Sequence, residues 1–172
     1  KRSVSDDFEH IDQAYLQLGD VCLEQKKYEE SEKYFALAGK ANPKMEEADT
    51  GKNASQSARF MDQGNQALEK GDVPAAIQAF QKAVNFSPQS AAPRFLLGKA
   101  YLQSGENDKA LASTTEGIKL SPDSVSGRII HATALRKNGK TLQARKVLEV
   151  GLEKDPEQIE LLNQLGLACR DA

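Results

Sequence analysis

Three prolines, Pro88, Pro122 and Pro156, fall 34 residues apart, and this fixed period constrains the fold more than any other feature of the chain. A proline ring cannot continue a helix, so each marks the end of a unit. The clearest unit, residues 91–124, carries Arg94, Leu97-Gly98, Tyr101, Gly105, Ala110, Ile118 and Pro122. Arg94, Leu97 and Tyr101 are spaced three and four apart, as one helical face requires. Gly105 breaks that helix, and a second runs through Ala110, Leu111, Ile118 and Leu120 to Ser121-Pro122. The predicted class is all-α, built from packed helix pairs.

The same frame recurs on both sides. Aligning Gly19 with Gly98 makes residues 12–45 a first unit, with Tyr15, Leu18-Gly19, Cys22, Ser31, Phe35 and Pro43 in the corresponding places. Phe60, Gly64, Ala67, Gly71, Ala76, Phe80 and Pro88 define residues 57–90. Residues 125–158 keep Gly139, Ala144 and Pro156 but put Ala132 where the others have glycine. Residues 159–172, with Leu162, Leu165-Gly166 and Cys169, supply only the first helix of a fifth unit. Gly19, Gly64, Gly98 and Gly166 fall mid-helix, where glycine costs about 1 kcal/mol relative to alanine. Each is expected to admit close approach of the paired helix, with Ala76, Ala110 and Ala144 as the matching small surface. Ahead of the first unit, Ser5, Asp6 or Asp7 is expected to cap a helix through Phe8, Ile11, Tyr15 and Leu18.

One interval breaks the period. Gly19 and Gly64 are 45 residues apart rather than 34, leaving an excess at residues 46–56, EEADTGKNASQ. Eleven residues make about three helical turns, so the stretch is either an extension of the helix carrying Phe60, the favoured reading, or a polar loop, for which Thr50-Gly51 and Asn53 argue. A hinge between the first unit and the rest is expected here.

A helix–turn–helix of this length, with large-x2-Leu-Gly-x2-Tyr, then Ala-x3-Phe, then Pro, resembles the tetratricopeptide repeat (TPR). About four and a half units match over about 150 residues, without the tryptophan often found at the fourth place. The resemblance implies one domain over residues 1–172, an α-solenoid with a right-handed superhelix, in which the first helix of each unit lines a concave face.

Composition narrows the function. Net charge is −2, which provides no basic face for phosphate and argues against a nucleic-acid partner; no apolar run argues for membrane insertion. The charge is uneven: residues 1–56 hold 8 Lys/Arg against 12 Asp/Glu, and the remainder 15 against 13, giving −4 and +2. Cys22 and Cys169 are too far apart for a disulfide and are read as small buried apolar residues. No Cys/His group has metal-ligand spacing, and there is neither a glycine-rich phosphate loop nor a Ser/His/Asp set. The chain is therefore expected to be no enzyme, with no catalytic residues, cofactor or metal. His131 replaces an interior leucine and is read as a packed, satisfied histidine. Asn53-Ala54-Ser55 fits a glycosylation sequon, a motif common by chance. No signal peptide is present, which favours the cytoplasm, although the chain starts at Lys1 rather than Met.

Function is left to shape. Helical phase puts Leu16 and Asp20 of the first unit on the concave face, with Met61, Asp62 and Asn65 of the second. Phe95, Leu96 and Lys99 follow from the third, and Ile129, Ile130, Thr133 and Lys137 from the fourth. Together they make an apolar floor, acidic at one end and basic at the other, suited to a peptide or helical segment of a protein partner. The clamp by which some TPR domains grip acidic chaperone tails needs Lys and Asn, then Asn, then Lys and Arg. This chain has Leu16 and Asp20, Asp62, then Ala92 and Leu96, and a one-unit shift recovers only Asn65, so that role is not expected. Two further expectations stand beside the interaction module. One is self-assembly through the C-terminal helix, whose Ile159, Leu161, Leu162, Leu165 and Leu167 are apolar for a terminal element; the other is service as the non-catalytic arm of a larger signalling (receiver-domain), secretion or enzyme protein.

Overall fold

The computed structural model describes residues 10–171. They form α1 (Ile11–Glu24), α2 (Tyr28–Ala41), α3 (Glu46–Glu69), α4 (Val73–Phe86), α5 (Ala91–Ser104), α6 (Asn107–Leu120), α7 (Val125–Lys137), α8 (Thr141–Lys154) and α9 (Ile159–Arg170). The expected cap at Ser5 to Asp7 and the start at Phe8 lie outside the described residues.

Both kinds of turn follow from single residues. Lys26, Gly71, Gly105 and Gly139, after α1, α3, α5 and α7, have φ of 59, 78, 79 and 69°. Just beyond each, Lys27, Asp72, Glu106 and Lys140 donate to the carbonyls of Cys22, Ala67, Tyr101 and Leu135 at 2.8–2.9 Å. This closure needs a left-handed residue, normally glycine, and satisfies carbonyls that the helix end orphans. The second helices stop ahead of the prolines. Asn42, Ser87, Ser121 and Asp155 leave the helical region with φ from −130 to −141°, because the following ring excludes them from it.

Successive odd-numbered helices touch one another, whereas the even-numbered helices touch only odd ones. The odd helices therefore lie on the inside of the curve and the even helices outside, the arrangement of an α-solenoid. A Cβ on Gly19 would lie 2.7 Å from the Phe35 ring, one on Gly64 2.5 Å from Phe80 and one on Gly98 2.4 Å from the Thr114 methyl. The glycines thus seat the side chain sixteen residues on. Ala76, Ala110 and Ala144 are fully buried in the same crossings but are not what the glycines chiefly accommodate. Gly166 meets nothing within 4 Å, since among the described residues no second helix follows α9.

The 24-residue α3 is one uninterrupted helix through residues 46–56, so the hinge expected there is replaced by a fastened segment. A Cβ on Gly51 would lie 2.4 Å from the Phe35 ring, and Ala48 and Ser55 are buried. The Ser55 hydroxyl lies 2.6 Å from that of Ser31, which donates to the Gly19 carbonyl at 2.7 Å. The first half of α3 closes the α1–α2 pair, and the second half pairs with α4. Eleven residues at about 100° each amount to three turns and about 20°, so both halves present nearly the same side while the array is displaced by about 16 Å along the helix. The Asn53-Ala54-Ser55 sequon is helical, its Ser55 enclosed. Cys22 is buried as expected; Cys169 is exposed instead, because nothing among the described residues covers its side of α9.

Candidate functional site: the inner face of the odd-numbered helices

The odd helices carry the concave-face residues in register. Leu16, Met61, Leu96, Ile129 and Ile130 are half-buried, and three or four residues beyond the first three of them Asp20, Asn65 and Lys99 are exposed, as is Lys137 at the end of α7. Asp62 and Thr133 are half-buried; the Thr133 hydroxyl donates to the Ile129 carbonyl at 2.9 Å. Leu96 packs on the α4–α5 core and Ile129 on the core around Ala132 and Leu148.

Phe95 is a correction. It is only 6% exposed, clasped between Gly117 and Gly127, whose added Cβ atoms would lie 2.5 and 2.2 Å from its ring. The physical reason lies in its unit, where Thr114 occupies the place of Phe35 and Phe80. The aromatic that fills the layer between units comes instead from the first helix, and two glycines clear room for it. Phe95 therefore belongs to the core, and the set that keeps solvent exposure consists of exposed Asp20, Asn65, Lys99 and Lys137 with half-buried Leu16, Met61, Leu96 and Ile130.

Several charged groups are committed to the scaffold. Arg94 donates to the Pro88 carbonyl at 2.9 Å, and Arg128, only 7% exposed, to those of Pro122 at 2.7 Å and Val147 at 3.0 Å. An arginine at the fourth place of the unit thus ties down the preceding proline turn. Asp62 accepts from the Tyr28 hydroxyl at 2.5 Å and pairs with Lys26 at 3.3 Å. Burial, with that carboxylate as partner, pushes the Tyr28 phenol up to about 12. These contacts exist because α3 overruns the end of α1, so the α1–α2 turn rests on its side around a cavity of about 540 Å³. His131 is buried with Nδ1 3.0 Å from the Thr114 hydroxyl. The same hydroxyl reaches the Ala110 carbonyl at 2.9 Å. Burial lowers the histidine pKa, and the ring spans the α6–α7 layer.

One feature of the surface has no motif behind it. Two depressions flank the first half of α3, one of about 530 Å³ against α1 and one of about 510 Å³ against the α4–α5 turn, and Thr50 and Ala54 line both. The signal was the irregular interval itself, because a displaced array must leave part of α3 uncovered. No group of His, Cys, Asp and Glu among the described residues is arranged to hold a metal, and no helix is long and apolar enough to cross a membrane.

Comparison with known proteins agrees with this architecture. No curated protein matches the sequence. Among solved structures, the second TPR domain of human RPAP3, in complex with an HSP70 peptide, superposes with a TM-score of 0.62 at 20% identity, covering 69% of this chain and 97% of that one. The yeast Sti1 TPR2AB domain, in an HSP90 complex, gives 0.63 at 16% identity over 94% and 71%. Thermus thermophilus TTC0263, a TPR protein, gives 0.53 at 22% identity over 92% and 98%. At these identities the likeness speaks for the fold. A tetratricopeptide-repeat model matches residues 12–45 and 91–124, and a TPR-repeat model matches residues 64–105. With the period, the turn chemistry and the glycine–aromatic crossings all in phase with those matches, the chain belongs to the tetratricopeptide repeat family.

Proposed function

We propose that this chain is a protein-interaction module that holds a peptide or helical segment of a partner protein against the odd-numbered helices. The observation that carries the reading is the register: half-buried Leu16, Met61, Leu96 and Ile130 alternate along the inner face with exposed Asp20, Asn65 and Lys99. Apolar anchors with a polar rim are what a recognition surface requires, and a solvated face has no need of the anchors. TPR domains of related fold occur in complexes with HSP70 and HSP90 peptides. An acidic tail suits this chain poorly, because Asp20 and Asp62 stand where a clamp needs amides and Asp62 is already engaged by Tyr28 and Lys26.

The test is a peptide-display selection on the immobilised chain, followed by titration of the selected peptides against Ile130→Asp and Lys99→Glu. Affinity is expected to fall by about tenfold or more, about 1.4 kcal/mol, with the circular dichroism spectrum unchanged. A selection that yields no binding peptide, or peptides indifferent to both variants, defeats the groove assignment.

A second reading, self-assembly through α9, is favoured by one observation: Ile159 and Leu162 are 67% and 45% exposed beside the open Gly166.

A further inference from the structure

We infer that the notch opened by the eleven-residue excess in α3 is a docking trough for a basic amphipathic helix of a partner protein, a segment presenting leucine-like side chains on one face and lysine or arginine around it. This rests on the interaction-module reading and names the chemistry of its partner at one end of the array.

In a regular array each first helix lies along its neighbours over its whole length. Here the excess shifts everything after residue 56 by about 16 Å along α3. Helix α1 meets α3 near its start, and α4 and α5 follow its far half. The face of α3 around Thr50 and Ala54 is left as the floor between two walls. On one side Leu16, Asp20 and Leu23 of α1 stand against Glu47, Thr50 and Ala54. On the other, Phe86 and Pro88 of the α4–α5 turn rise beside Asn53. Leu16, Asp20 and Leu23 are spaced i, i+4, i+7, and Glu47, Thr50 and Ala54 are spaced i, i+3, i+7. Two such parallel ridges enclose the kind of groove into which the ridge of a third helix packs.

Charge selects the occupant. No lysine or arginine lines either depression, whereas Asp20, Glu46 and Glu47 rim the first. Those three carboxylates form no ion pair among the described residues, whereas Glu106, Glu116, Asp123 and Glu149 each have one and Asp171 has two. Leu16 and Leu23 of one wall, Phe86 of the other and Ala54 of the floor provide the apolar lining. Such an acidic rim repels an acidic segment, the apolar lining gives an uncharged polar one no anchor, and the two together fit a helix whose apolar stripe is flanked by cations.

The experiment uses the whole chain and three fluorescent synthetic helical peptides: leucine stripe with lysines, the same stripe with glutamates, and the lysine peptide with serine for every leucine. Anisotropy titrations are expected to show binding of the first alone, weakening as salt is raised. The near-isosteric triple variant Asp20→Asn, Glu46→Gln, Glu47→Gln is expected to lower that affinity about tenfold, while Glu157→Gln, an exposed carboxylate between α8 and α9, leaves it unchanged. Equal binding of the glutamate peptide overturns the charge assignment, and equal binding of the serine peptide overturns the apolar floor. Lysine-peptide binding that is indifferent to the triple variant but lost in Ile130→Asp overturns the trough and leaves the interaction-module reading intact. A mass that rises with concentration in light scattering and returns to monomer in the triple variant places a second copy in the trough and also overturns the proposal.

Discussion

At the scale of single residues, one motif position has opposite consequences in different units. Gly64 and Gly166 occupy the same place in their repeats, yet a Cβ on Gly64 would lie 2.5 Å from the Phe80 ring while one on Gly166 meets nothing within 4 Å. Gly64→Ala is therefore expected to destabilise the fold by about 1–3 kcal/mol through overpacking. Gly166→Ala should stabilise it by about 0.5–1 kcal/mol, because alanine restricts the unfolded chain and favours the helix. Urea unfolding of both variants checks the pair, and midpoints moving in the same direction would contradict the packing described. The glycine holds the same repeat position in both units, and only a neighbour's presence gives the two substitutions opposite signs. Phe95 makes the same point for the site. Its helical phase puts it beside Leu96 on the inner face, and the substitution of Thr114 for an aromatic a full helix later draws it inward.

At the scale of elements, α3 decides how the array is joined. Its first half is held by Phe35 over Gly51 and by the Ser31–Ser55 pair, its second by Phe80 over Gly64. The continuous backbone between them transmits one half's order to the other. Asn53 is exposed in the middle, so Asn53→Pro removes a helical hydrogen bond and adds a clash without disturbing the core, at a cost of about 3 kcal/mol. Thermal denaturation followed by circular dichroism is expected to split, with the α1–α2 pair melting ahead of the rest, while Asn53→Ala keeps a single transition. One unshifted transition in the proline variant would mean that α3 does not couple the two parts. Most of this architecture was legible beforehand, because proline and the turn glycines act locally: the ends of α4, α5, α6 and α8 fall where Pro88, Gly105, Pro122 and Pro156 require. Residues 46–56 were legible as an excess of three turns but not as a fastened helix. Gly51 looks like a helix breaker until the Phe35 ring is seen against it. The trough along Thr50 and Ala54 was not legible at all, since it is made of what the displaced helices fail to cover rather than of a motif.

At the scale of the molecule, a solenoid's stability is a sum of neighbour contacts, and its ends have only one neighbour each. Leu18 and Val21 on α1 are 43% and 47% exposed, and Ile159 and Leu162 on α9 are 67% and 45% exposed. Inside the array the equivalent of Leu18 and Leu165, Leu97, is 5% exposed because α4 covers it. The two ends of the described residues differ. There α1 has its second helix packed on it. No second helix packs on α9 among those residues, and Gly166 presents an open seat of the shape that Phe35 and Phe80 fill elsewhere. Desolvating a leucine is worth about 1.5–3 kcal/mol, and two or three such side chains on each partner, less the cost of association, leave a weak complex. The chain is accordingly expected to associate through α9 only at high concentration. Light scattering should show a mass rising with concentration, and Leu162→Lys, a substitution on an exposed side chain, should return it to monomer without altering the melting curve. The triple carboxylate variant of the trough should leave this association untouched, since Asp20, Glu46 and Glu47 lie at the opposite end of the array. A monomer at every concentration would show that the α9 face is left to solvent, and amide exchange should then be fastest in α9, the helix with a partner on one side alone.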